Sequence, residues 1–169
     1  MAAGDVNQAF GATGDLTITL ASLATDASKL TGRESTSLSF TSTKPLDCLL
    51  QGKVTTGTSP TDAKTIEVLV VGSADGTNWP DVFDGTDSAE TITSALIKGV
   101  ICKVAASMPT NNTSDRSYPF GPISVAALFG GVLPSSIAVF VTHDTAVNLN
   151  ATGSNHKITY QNIYETVAQ

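Results

Sequence analysis

Thr65-Ile66-Glu67-Val68-Leu69-Val70-Val71 is the stretch that decides the fold. In an extended chain successive side chains point to opposite faces, so Ile66, Val68 and Val70 share one face. Glu67, Leu69 and Val71 share the other, which begins charged and ends apolar. A strand apolar on both faces is expected to be covered on both, inside a sandwich. The alternative is that Leu69 and Val71 meet another subunit. Coverage by the chain itself is the favoured reading, because fully buried strands read as continuous apolar runs.

Working outward, Asp75-Gly76 follows as a turn or hairpin signal, since Gly accepts positive φ and Asp tolerates it. Ile137 to Thr142 repeats the strong strand pattern, with Ile137, Val139 and Val141 on one face. Leu16/Ile18/Leu20, Leu38/Phe40, Leu46/Cys48/Leu50, Ile123/Val125/Ala127 and Ile158/Tyr160 alternate with polar or small neighbours in shorter pieces. Ala95 to Ala106 is apolar and is predicted as a strand with Gly99 as a bulge. About eight strands separated by Gly, Pro and Asp turns, with no long helical pattern, predict an all-β sandwich of jelly-roll type. Met1 to Gly14 is small and polar, with Gly4, Gly11 and Gly14, and is predicted to be a flexible arm. Residues 15–169 then form one domain, as suits a chain of 169 residues.

Charged residues make up 14% of the chain and the formal net charge is −6. Such a neutral, Ser- and Thr-rich surface is cheap to desolvate and suits a protein packed among neighbours. The nine Lys and Arg residues are scattered. Binding a phosphate backbone needs them clustered, so nucleic acid is not expected as a partner, nor is an anionic membrane. No run approaches the ~18 apolar residues of a membrane helix. Met1 to Gly14 lacks a basic segment followed by an apolar run, so folding in a cytoplasm is the expectation.

Chemistry is sparse. His143 and His156 are the only histidines, and no Gly-x-Ser-x-Gly elbow accompanies them. His143 ends the Ile137 to Thr142 strand and reads as a rim or capping residue, so no catalytic residue is assigned. Cys48 and Cys102 each lie in an apolar stretch; a disulfide and two buried thiols are both open, and the absence of a cysteine framework favours thiols. Histidines and cysteines are too dispersed for a zinc site. Asp75, Asp81, Asp84 and Asp87 are the one acidic cluster; they read as turn residues, with a calcium loop as the alternative. No cofactor is expected. Trp79, Phe83, Tyr118 and Phe120 are the aromatics that could offer a sugar-stacking platform, with core packing as the competing reading.

Three features carry a resemblance: Ser73-Ala74-Asp75-Gly76-Thr77-Asn78-Trp79 after an apolar strand, Pro119-Phe120-Gly121-Pro122 before a small-residue strand, and the ending Ile158-Thr159-Tyr160-Gln161. In this order they resemble small β-sandwich structural proteins of tailed-bacteriophage virions, especially capsid decoration (cement) proteins. The resemblance covers Thr65 to Tyr164. It implies a non-enzymatic protein that docks on the outer surface of a preformed capsid, with the major capsid protein as partner, often as a homo-oligomer. It transfers no catalytic or contact residue. The rival is a glycan-binding module of a phage tail or baseplate, for which Trp79 and Tyr118 are the candidate contacts, beside Leu69 and Val71 as candidate subunit contacts.

Overall fold

The computed structural model describes residues 6–167 and contains ten strands and two short helices. In chain order these are β1 (Val6–Asp15), β2 (Thr31–Glu34), β3 (Leu38–Ser39), β4 (Asp47–Thr55), β5 (Lys64–Ser73), β6 (Ala89–Thr91), α1 (Ala95–Ile101), β7 (Lys103–Thr110), β8 (Ser117–Ser124), α2 (Val125–Leu128), β9 (Ser136–His143) and β10 (Lys157–Val167). One antiparallel sheet runs β1-β10-β4-β8 and the other β6-β2-β9-β5-β7, with the short β3 also on β9. Setting aside β3 and β6, consecutive strands alternate between the sheets except β5 and β7, which are neighbours in one sheet. That is jelly-roll connectivity, so the sandwich expected from strand count and turn spacing is the fold. No helix among the described residues is long and apolar enough to cross a membrane.

The main core lies between the sheets. Leu50, Val54 and Ile158 from one face meet Ile66, Val68, Val70, Val139 and Val141 from the other. A second core lies on the far side of the β5–β9 sheet. There Leu69, Val71 and Phe140 pack against Phe83, Ile92 and Cys102, with Trp79, Ile97 and Ile101 closing the layer. Both faces of β5 are therefore covered by the chain itself, and the chain builds a third layer to do it.

Several local expectations are corrected. Residues 6–14 of the expected arm are strand β1, paired with β10 along its length; the remainder, 1–5, lies outside the described residues. The glycines read as flexibility make room for tyrosines. A Cβ on Gly14 would sit 2.4 Å from Cζ of Tyr160, and one on Gly11 3.0 Å from Cε2 of Tyr164. An aromatic ring laid over a strand glycine restores the packing that residue lacks. Leu16 to Leu20 is not a strand, although Leu16 and Leu20 are buried.

Ala95 to Ile101 is helix α1. Ser94 caps it, its Oγ accepting from the Ile97 N–H at 3.2 Å, and such a cap satisfies an otherwise orphan donor. Gly99 sits in that helix, and the bulge falls in β7 instead, where the register shifts between Ala106 opposite Val68 and Val104 opposite Leu69. Val125 and Ala127 lie in α2, capped by Ser124. Asp75-Gly76 makes a turn with Gly76 at φ +77°. It opens the loop leading to β6 on the far edge of the sheet, not a hairpin.

Candidate functional site

The third layer is tied down by a partly buried ionic clasp. Glu67, on the outer face of β5, receives Lys29 Nζ at 2.8 Å and Lys98 Nζ at 2.7 Å. Lys98 Nζ also donates to the Lys29 carbonyl at 2.7 Å. Burial works against ionisation of Glu67, yet the two ammonium groups prevail and hold its carboxyl below the ordinary value. This clasp fastens α1 and the 26–30 turn onto β5. Ile97 and Ile101, four residues apart, face the second core. Leu96 and Val100, also four apart, face outward and are 84% and 72% exposed.

The buried histidines and Glu34 are bonded internally. His143 is fully buried rather than on the rim. Its Nε2–H donates to the Leu23 carbonyl at 3.1 Å and its Nδ1 lies 2.9 Å from Thr145 Oγ1, pinning the long connection after β1 to the end of β9. His156 Nε2–H donates to Asn150 O at 2.9 Å, and Nδ1 accepts the Thr55 N–H at 3.3 Å. Burial, the leading cause in each, holds both imidazoles below the ordinary histidine value. Glu34 is buried under the loop before β6, accepting from the N–H of Gly85 at 2.8 Å and of Asp84 at 3.3 Å. Burial pushes its carboxyl up to about 7, and the carboxylates of Asp84 and Glu90 add to the rise.

Cys48 and Cys102 are free thiols in different cores, and burial pushes them up to about 12 and about 11. The four loop aspartates do not converge. Asp75 accepts from the N–H groups of Thr77 and Asn78, Asp81 holds Thr93, Asp84 holds Thr86, and Asp87 pairs with Arg33 and Thr19. Among the described residues no three His, Cys, Asp or Glu side chains are placed to hold one metal ion.

The residues singled out as contacts mostly point inward. Leu69 and Val71 are 1% and 0% exposed, so neither reaches a partner in the folded chain. Tyr118 is buried, its hydroxyl donating to Asn111 Oδ1 at 2.9 Å. Phe83 and Phe120 are buried too. Trp79 is half-buried against the second core, and its ring covers Gly85.

An open groove of about 600 Å³ crosses the outer face of the four-stranded sheet, lined by Thr13, Gln51, Lys53, Pro119, Lys157 and Thr159. Lys53 and Lys157 stand directly opposite each other on β4 and β10, and Asp15 lies 3.1 Å from Lys157 Nζ. The groove offers cations and hydroxyls but no nucleophile–base pair.

Sequence reasoning missed Leu96 and Val100, because reading Ala95 to Ala106 as a strand hid that α1 carries apolar residues on its outer as well as its inner side. A surface helix normally keeps its apolar residues to one stripe, and that departure was the available signal. No family model matches the chain, and neither a known curated protein nor a solved structure matches it.

Proposed function

We propose that the chain is a virion structural protein that binds and stabilises the outer surface of a phage capsid. It acts by contact rather than turnover, as a homo-oligomer made in the host cytoplasm, with the major capsid protein as partner. One observation carries this reading: the placement of side chains by chemistry. Glu34, Glu67, His143, His156 and both cysteines are turned inward and bonded or buried, whereas Leu96 and Val100 of α1 are turned out. A surface of that kind has apolar area to lose to a neighbour, while the buried polar chemistry among the described residues is turned inward. Jelly rolls serve as viral capsid domains among other uses, which is support by analogy of fold alone. Lectins share the fold, but of the four aromatics considered for a sugar platform Tyr118, Phe83 and Phe120 are buried and Trp79 is half-buried.

The test is co-sedimentation of the purified chain with expanded shells assembled from the major capsid protein proposed as its partner. Saturable binding and a raised temperature of shell disruption are expected, and Leu96→Asp/Val100→Asp should weaken both. Absence of binding to expanded shells refutes the reading.

A further inference from the structure

We infer that the N-terminal edge of the four-stranded sheet is a self-association surface, where β1 pairs antiparallel with β1 of a second copy in a register centred on Gln8. The inference rests on the homo-oligomer in the reading above and not on the shell.

Every open sheet needs its edges guarded, because an edge strand presents unpaired N–H and C=O groups that template another strand. Three of the four edges here carry such guards. β8 contains Pro119 and Pro122, β7 contains Lys103, Pro109 and a bulge, and β6 is three residues long. β1 has neither Pro nor charge from Val6 to Gly14. Its register on β10 shifts between Phe10 and Thr13, which leaves Val6–Phe10 as an unbroken ladder.

That ladder also overhangs the body. β4 begins at Asp47, opposite Ile163, so past that point β1 and β10 are a two-stranded ribbon that ends with Val6 opposite Val167, with Phe10 opposite Ile163 at its base. Val6, Phe10 and Val167 are 62%, 60% and 63% exposed on this ribbon, beside half-exposed Leu46. An isolated two-stranded ribbon is marginal in water, whereas more strands sharing an apolar face are stable.

The occupant follows from the edge's own sequence. In antiparallel pairing centred on Gln8, Val6 faces the second copy's Phe10, Gln8 faces Gln8, and Asn7 faces Ala9. All five residues find a partner, apolar meets apolar, and the apolar ribbon face runs through four strands. Moving the centre to Asn7 or Ala9 sets Gln8 against Val6 or Phe10 and leaves an end unpaired. Glu165, opposite Gln8, is the one charged residue on the ribbon. Its copy would lie three strand spacings away, about 14 Å. That exceeds the Debye length of about 8 Å at physiological salt, so repulsion does not oppose the pairing.

The experiment uses the full chain with Gln8→Cys, oxidised mildly and followed as covalent dimer on non-reducing gels. Directly opposed residues in an antiparallel pair lie within disulfide reach, and native Cys48 and Cys102 are buried. Dimer should form at least about tenfold faster than in a Leu96→Cys control, because pairing raises the local thiol concentration. Separately, the parent chain should show dimer by sedimentation velocity at about 1 mM, a concentration that populates weak complexes. Phe10→Lys should return it to monomer with an unchanged circular dichroism spectrum. Equal oxidation rates for the two cysteine variants, or a parent chain that is monomeric at that concentration, overturn the inference. Failure to bind shells leaves it standing, so the two readings fail separately.

Discussion

Glu34→Gln should change how stability depends on pH, and by an amount the structure sets. Glu34 has no exposed surface and its carboxylate is met by two backbone N–H groups and no cation. Burial lifts its pKa from the ordinary 4.5 to about 7. The sign follows from proton counting. Between pH 4.5 and about 7 the folded chain holds a proton that the unfolded chain has released, so stability falls as pH rises through that window. At about 1.4 kcal/mol per pH unit the full effect is about 3 kcal/mol, most of it above pH 5. Glutamine keeps the shape and an acceptor for the Gly85 N–H but cannot ionise. The stability of Glu34→Gln minus that of the parent should therefore climb by about 2 to 3 kcal/mol from pH 5 to pH 8. Urea unfolding read by the single tryptophan, Trp79, whose ring covers Gly85, is the assay. Starting at pH 5 keeps the protein above its pI of about 4.6. A difference flat to within about 0.5 kcal/mol across that range would refute the assignment of a buried, uncompensated carboxyl.

His143 and His156 act in the opposite sense: both are held neutral below the ordinary 6.5, so the unfolded chain takes up protons first and stability declines as pH falls under 6.5. Imidazole NMR titration should show both rings titrating below the ordinary histidine value, and His156→Gln should flatten the acid limb; a ring titrating at its ordinary value removes the claim. Gly52→Ala should destabilise by about 1–3 kcal/mol, since the added Cβ would lie 2.3 Å from the Lys157 carbonyl and 3.0 Å from Ile158 Cα, both backbone atoms that cannot rotate away. Thermal unfolding measures it, and an unchanged midpoint would mean that the β4–β10 spacing is looser than described.

The sandwich was legible because β5 and β9 carry their information in side-chain period. Ile66, Val68, Val70 and Val139, Val141 alternate over lengths that no helix would tolerate, and they are the residues that meet in the main core. What the pattern could not show was anything set by a distant partner. The strand character of Val6–Asp15 depends on β10, some 150 residues later in the chain, and its glycines are explained only by Tyr160 and Tyr164 lying over them. Periodicity also fails on Ala95–Ile101, where every residue but Lys98 is apolar or glycine, so period 2 and period 3.6 fit equally well. Ser94 three residues before Ile97 was the discriminating signal, as an N-cap. Of the four contact candidates, Leu69, Val71 and Tyr118 went inward because an apolar side chain is more often core than surface.

The unequal treatment of the two sheets bears on how the molecule meets others. The β5–β9 sheet has its outer face closed by the chain's own third layer, held by Lys29 and Lys98 on Glu67. The β4–β10 sheet leaves its outer face open, and the groove across it sets Thr13, Gln51, Lys53, Lys157 and Thr159 beside Pro119 and Phe120. Apolar exposure is therefore not spread over the bare sheet, where leftover core residues would have put it. Large apolar side chains are exposed on the outer side of α1 and at the β1–β10 overhang, which the jelly-roll connectivity sets on different sheets, and also at Val104 of β7 and Val132 after α2. Neither set of side chains fills a core from where it sits: Leu96 and Val100 face away from the second core that Ile97 and Ile101 fill, and Val6 and Val167 lie past Asp47, the first residue of β4, with exposed Phe10 level with it. If α1 served only to cover Leu69 and Val71, polar residues at 96 and 100 would do as well on its outer side. Their replacement by Leu and Val is what separates a helix that closes a core from one that also presents a surface.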